Sequence, residues 1–87
     1  MDVRRLRDLA VSESGFVFDP YGGQTFSLNP TGKVILEELR RGTPLDRIEA
    51  VLRDAFQVEE GVEVGRDVRE FVLLAREQGW LPAEASP

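Results

Sequence analysis

The stretch at residues 24–32 constrains the fold of this chain most, because a strand and a helix meet there without a linker. Phe26 and Leu28 alternate with polar neighbours, which is the pattern of a half-buried strand. Asn29 can then cap a helix, since its side-chain oxygen can accept a free N–H of the first turn. Pro30 suits the first helical position, where its missing N–H costs nothing. The sequence therefore predicts a sheet joined directly to a helical body.

Two shorter strands are predicted before this joint. The apolar runs at residues 9–11 and 16–18 are each followed by residues typical of tight turns. Together with residues 24–28, they predict an antiparallel three-stranded meander. We expect the face that meets the helices to carry Phe16, Phe18, Phe26 and Leu28. The opposite face would then carry Val17, Thr25 and Ser27.

Three helices are predicted after the sheet. The first covers residues 30–41, and Gly42 is well placed as the left-handed residue that ends it. Thr43 is predicted as the N-cap of the second helix and Pro44 as its first helical residue. Apolar residues recur at helical spacing as far as residue 56, so this second helix is amphipathic.

The third helix is predicted over residues 62–78, with Trp80 and Leu81 folding back onto the core after Gly79. At about 100° per residue, its faces separate into three sets. The core stripe contains Val64, Val68, Phe71, Val72 and Ala75. A basic side surrounds Leu73 and contains Arg66, Arg69 and Arg76. An acidic flank contains Glu63, Asp67, Glu70 and Glu77, with Leu74 among them.

The two chain ends are predicted to be less ordered than the body. Residues 2–7 have the composition of a frayed terminus and residues 82–87 that of a disordered tail. A chain of 87 residues suffices for one domain, which we place at residues 1–81. The predicted fold class is α+β: a three-stranded antiparallel β-meander followed by three helices.

Composition narrows the possible functions. The chain has no cysteine and no histidine, which excludes disulfides, thiolate metal sites and most nucleophilic or general-base arrangements. Its 16 acidic residues are typical of a solvated surface, so we expect no enzyme activity, no metal and no cofactor. The net charge of −5 argues against binding to nucleic acid. Without a signal peptide or a long apolar run, the chain is expected to be cytoplasmic and not membrane-bound.

The joint and the helices together resemble a known family. Three features carry the likeness: the Phe26-x-Leu28-Asn29-Pro30-x-Gly32 joint, the short second helix, and the closing segment at residues 77–81. On these features the chain, from about residue 6 to residue 81, resembles the PqqD-like family of small peptide-binding domains, also described as RiPP recognition elements. Thr31 departs from the apolar residue that this family often has after the proline.

The resemblance implies a winged-helix-like domain that does not bind DNA. Such domains bind the leader of a ribosomally made precursor peptide and bring it to a modifying enzyme, often a radical-SAM protein, as in PQQ-type modification. The leader typically adds as a strand beside the third strand and lies against the third helix. Two sets of residues would then bind it. The main-chain hydrogen bonds to the leader would come from the third strand, at Gln24, Thr25, Phe26, Ser27 and Leu28. Side-chain contacts to an acidic, apolar leader would come from Arg66, Arg69, Leu73 and Arg76.

The residues themselves make strand addition physically reasonable, because the last strand of a meander has one unpaired edge. The same edge could pair with a second copy, so either a monomer or a homodimer is compatible with the sequence. Two other functions stay open. A winged-helix DNA-binding protein would use the third helix for recognition, although that helix carries more acids than arginines. A structural subunit would bind a partner protein through an apolar patch.

Overall fold

The computed structural model describes residues 3–57 and 63–82 and has an α+β fold. The predicted meander followed by helices is confirmed, and the arrangement is compatible with a winged-helix-like domain. The predicted start of the third helix at residue 62 lies outside the described residues, as do most of the predicted break at 57–61 and tail at 82–87. The elements are α1 (Arg4–Arg7), β1 (Ala10–Val11), β2 (Phe16–Asp19), β3 (Gln24–Ser27), α2 (Pro30–Arg40), α3 (Leu45–Phe56) and α4 (Val64–Glu77).

The sheet has the order β1-β2-β3, with both pairs antiparallel. Val17 lies opposite Phe26, and Val17 is fully buried. Phe16 and Phe18 are 54% and 44% exposed on the outer face, where their partners are Ser27 and Thr25. The prediction that Phe16 and Phe18 face the helices, and that Val17 faces away, is therefore wrong. The prediction for β3 holds, since Phe26 and Leu28 pack against the core.

The hydrogen bonds at the ends of the β2–β3 hairpin fix this register. The Gly23 N–H donates to the Asp19 carbonyl at 2.8 Å, and the Leu28 N–H donates to the Gly15 carbonyl at 2.8 Å. Because side chains alternate between the two faces, the register set by these bonds decides which face of β2 is buried. Phe16 and Phe18 suggested the wrong face as the buried one. The alternation in β2 is equally regular whichever face is buried.

Asp19 links the sheet to the end of α4. The Trp80 indole N–H donates to the buried Asp19 carboxylate at 3.1 Å, and the Trp80 ring meets Phe26 edge-on at 5.1 Å. Burial acts to raise the pKa of Asp19, but the hydrogen bonds from Trp80 and from the N–H groups of Tyr21 and Gly22 lower it below its ordinary value. The predicted return of the chain onto the core after α4 is confirmed.

The joint between β3 and α2 has the predicted geometry. The Asn29 Oδ1 accepts the Gly32 N–H at 2.7 Å, and Pro30 is the first residue of the helix. After α2, Gly42 has a φ of +83°, the left-handed conformation that was predicted there. These features depend only on neighbouring residues, which is why the sequence predicts them well.

The start of α3 differs from the prediction. Pro44, not Thr43, is the N-cap, with φ −61° and ψ 147°, and no side chain caps the helix. The Thr43 hydroxyl instead donates to Glu38 Oε1 at 2.9 Å. This charge-assisted bond holds the Thr43 side chain against α2.

Residues 4–7 form a helical turn, so the prediction of a frayed terminus is wrong for them. Leu6 of α1 is fully buried and Leu9 nearly so. The Arg5 guanidinium lies 4.2 Å from the centre of the Tyr21 ring, and the Tyr21 hydroxyl donates to Asp8 at 2.6 Å. The hydrogen bond to Asp8 raises the pKa of Tyr21. The i, i+3 spacing of Leu6 and Leu9 is typical of the buried side of a helix and could have predicted this turn. The three neighbouring arginines instead suggested a frayed terminus.

The core lies between the inner face of the sheet and the helices. All five residues of the predicted core stripe of α4 are buried. Within residues 3–57 and 63–82, no helix is long and apolar enough to cross a membrane.

Candidate functional site

The outer edge of β3 is open. Within the described sheet, β3 pairs only with β2. The Leu28 N–H points toward β2, because it bonds to Gly15. Residues two apart along a strand point the same way, so the backbone groups of Phe26 also point toward β2. It follows that the N–H and C=O groups of Thr25 and Ser27 point to the open edge.

A groove of about 250 Å³ lies beside this edge, between the joint and α4. The end of β3 and the first turns of α2 supply one side, and one flank of α4 supplies the other. Its lining residues are Ser27, Leu28, Asn29, Thr31, Gly32, Ile35, Asp67, Glu70, Phe71 and Leu74.

The lining is apolar at its base and polar at its rim. Ile35 and Phe71 are buried core residues, and Leu28 and Leu74 are half-buried beside them. Gly32 lines the α2 side, where a Cβ would be crowded at 3.2 Å from Asn29 Oδ1. Such a groove can accept the side chains of an extended chain while the edge of β3 binds its backbone.

The charge on the α4 side of the groove is negative. Asp67 and Glu70 both line it and are exposed. Glu70 pairs with Arg66 at 3.1 Å, and both side chains of this pair are largely in solvent. Within the described part of the chain, no cation pairs with Asp67, and no lysine or arginine lines the groove.

The structure brings some of the predicted site residues together at this groove. Ser27 and Leu28 line it. Phe26 is half-buried against Trp80, while Gln24 and Thr25 are exposed on β3.

The predicted residues of α4 lie elsewhere on that helix. Arg66 reaches Glu70 from the solvent side, and Leu73 is 51% exposed. Arg69 lines a second groove, of about 290 Å³, between α3 and α4. Arg76 is half-buried. None of the four lines the groove beside β3.

Sequence reasoning missed the groove residues of α4: Asp67, Glu70, Phe71 and Leu74. The helical projection does place Asp67 and Leu74 next to Phe71 on one flank of the core stripe. It does not tell which flank faces the sheet, and that is set by tertiary packing alone.

Comparison with known proteins decides the family. The sequence model of the family described as "Coenzyme PQQ synthesis protein D (PqqD)" matches residues 15–81. The chain belongs to the PqqD family. The matched residues include β2, β3, α2, α3 and α4, and so the whole groove. Searches of curated proteins and of solved structures give no significant match.

Membership in the PqqD family is consistent with a non-catalytic accessory protein. The family name also connects the chain with the synthesis of coenzyme PQQ. The match supports both the PqqD-like resemblance and the fold deduced from the sequence.

Proposed function

We propose that this PqqD-family chain binds the leader of a ribosomally made precursor peptide by strand addition to β3. It then presents the peptide to a modifying enzyme, of which a radical-SAM protein is the leading candidate. One observation carries the proposal: the unpaired edge of β3 lies directly beside a groove with an apolar base.

The backbone supplies the affinity in this mechanism. Thr25 and Ser27 offer two N–H donors and two C=O acceptors to an extended peptide, and neither residue gives up a bond to β2 in doing so. Strand addition of this kind gives sequence-independent main-chain binding. Alternate side chains of the added strand point to the groove, where they meet residues such as Leu28, Phe71 and Leu74.

The arrangement favours a peptide over DNA. A recognition helix that enters the major groove must approach phosphates closely, and its cationic residues provide most of the affinity. Here α4 presents Asp67 and Glu70 to the open groove and carries Arg69 on the flank toward α3. A titration with duplex DNA at low salt is expected to show no binding.

The decisive variant is Ser27→Pro, with Ser27→Val as its matched control. Proline removes the one N–H of Ser27, which points to the open edge, and a proline is tolerated there on an edge strand. Valine keeps the N–H and suits a strand. Leader peptides encoded by short reading frames beside the gene are the ligands to titrate.

We expect Ser27→Pro to weaken leader binding about tenfold or more, which is about 1.4 kcal/mol, through the lost hydrogen bond and the bulk of the ring. Ser27→Val is expected to bind like the unchanged protein, and circular dichroism must show both variants folded. Equal binding by Ser27→Pro and Ser27→Val would contradict strand addition and would favour a structural subunit that uses another surface.

A further inference from the structure

Resting on the proposed function, we infer that the β3–α4 groove selects a peptide with a basic side chain two residues from an apolar one. The basic side chain binds to Asp67 and Glu70, and the apolar one binds to Phe71 and Leu74. This is the opposite charge preference from the one that the arginines of α4 suggest in the sequence.

The open edge of β3 identifies an extended chain as the ligand independently of any charge. The carboxylates of the groove then determine which side chains that peptide carries. Asp67 and Glu70 are three residues apart on α4, so they are surface neighbours, and both line the groove. A cation from the ligand would lie between two carboxylates without displacing any buried group.

No cation of the described chain neutralises this site fully. Arg66 contacts Glu70 at 3.1 Å, but 72% of the Arg66 side chain and 62% of the Glu70 side chain are exposed. An exposed pair of this kind contributes little and exchanges readily. Lys33, the lysine of the neighbouring helix α2, donates to the Glu13 carbonyl at 2.7 Å and lines a different cavity.

Spacing sets the separation of the two side chains. Along a helix at 1.5 Å per residue, the midpoint of Asp67 and Glu70 lies ~6 Å from that of Phe71 and Leu74. Alternate residues of a strand lie ~6.6 Å apart and point to the same face. Two successive inward-facing side chains of an added strand therefore match the acidic and the apolar half of this groove wall.

The test uses a pair of capped peptides with a threonine-rich background. One carries arginine and leucine two residues apart, and its twin carries glutamate in place of arginine. Binding is measured by fluorescence anisotropy, and the amide shifts of Thr25 and Ser27 report whether the peptide lies on β3. We expect the arginine peptide to bind about fivefold more tightly, because the twin replaces an attraction with a repulsion at exposed carboxylates.

The protein variants separate this groove from general charge effects. Asp67→Asn with Glu70→Gln is expected to remove most of the difference between the two peptides. Glu63→Gln with Glu77→Gln removes the same charge from exposed positions of the same flank that do not line the groove, and is expected to preserve the difference. Asp67→Lys is expected to make the glutamate peptide the tighter ligand.

The outcomes distinguish this inference from the proposed function. If both peptides move the Thr25 and Ser27 amides with equal affinity, strand addition stands and the charge preference is overturned. Tighter binding of the glutamate peptide to the unchanged protein also overturns it, and favours the arginine set on α4. If neither peptide binds or moves these amides, the result counts against the proposed function and removes the basis of this inference.

Discussion

The two grooves beside α4 are similar in size but offer a peptide different chemistry. The groove toward β3 measures about 250 Å³ and that toward α3 about 290 Å³. The first adjoins unpaired backbone groups of Thr25 and Ser27. The second lies between the N-terminal halves of α3 and α4 and adjoins no strand of the described sheet.

The two grooves also differ in the charge of their lining residues. Toward α3, Arg69 lines the groove together with Asp46 and Glu49, so a cation and anions are both present. Toward β3, Asp67 and Glu70 are the charged lining residues within the described chain. Volume alone therefore does not distinguish the two grooves as possible peptide sites. The unpaired strand edge and the absence of a cation among the described lining residues distinguish the β3 groove from the α3 groove.

Gly15→Ala is expected to disturb β3, and with it the difference between the two grooves, most strongly. Gly15 has a φ of +96°, and a Cβ there would lie 2.6 Å from the Leu28 carbonyl oxygen. Backbone strain and the clash together should cost about 3 kcal/mol in free energy of unfolding. Urea denaturation measures this cost.

Gly23→Ala is the matched control for Gly15→Ala. Its φ is +71°, but a Cβ would meet no atom within 4 Å. We expect a smaller loss of stability, about 1 kcal/mol, from the left-handed conformation alone. Similar losses in both variants would show that the contact between Gly15 and Leu28 does not hold β3 in register.

Trp80→Phe tests whether the Asp19 link holds the sheet against the end of α4. The variant leaves the ring contact with Phe26 but removes the indole donor to Asp19. Loss of a buried hydrogen bond to a charged group should cost about 2 kcal/mol at pH 7. Thermal or urea unfolding at pH 7 checks the magnitude.

The pH dependence of stability sharpens the same test. The pKa of Asp19 is lowered in the folded protein, so its contribution to stability is complete above its unfolded pKa and is lost as the pH falls below about 4. We expect Trp80→Phe and Asp19→Asn each to flatten the unfolding free energy between pH 5 and pH 2. An unchanged acid slope in both variants would contradict this role of Asp19.

Leu74→Asp and Leu73→Asp compare the two flanks of α4 directly. Leu74 is half-buried in the β3 groove, while Leu73 is 51% exposed outside it. We expect Leu74→Asp to weaken leader binding about tenfold, or 1.4 kcal/mol, and Leu73→Asp to change it less than twofold. The reverse order would support the residues suggested by the sequence, and titration calorimetry distinguishes the two.

Arg69→Ala is expected to have the smallest effect. Arg69 lines the α3 groove, and its distance of 4.0 Å from Glu63 makes only a weak, exposed pair. We expect a change in stability below about 0.5 kcal/mol and no measurable change in leader binding. A large loss of binding in this variant would place the peptide in the α3 groove and would contradict binding beside β3.

Local chemistry made much of the fold predictable from the sequence. The cap formed by Asn29, the start of α2 at Pro30 and the left-handed Gly42 each depend on residues a few positions apart. The core stripe of α4 also followed from helical spacing, because five apolar residues repeat on one face. The open edge of β3 followed from the meander itself.

Two features that the sequence did not determine depend on a choice between two equivalent sides. Alternation in β2 is equally regular whether Val17 or the flanking Phe16 and Phe18 are buried, and the bond between Gly15 and Leu28 decides it. Likewise, the flank of α4 that faces β3 is set by packing between distant elements. The groove residues Asp67 and Leu74 were therefore visible as a flank in the sequence but not as a site.

Hydrogen exchange at individual amides of β3 tests the central claim most directly. The N–H groups of Thr25 and Ser27 point to the open edge, whereas that of Phe26 points toward β2. Saturating leader peptide should slow exchange at Thr25 and Ser27 strongly, because these amides become hydrogen-bonded, with little change at Phe26. Exchange at Thr25 and Ser27 that stays fast while the peptide is bound would contradict strand addition to β3.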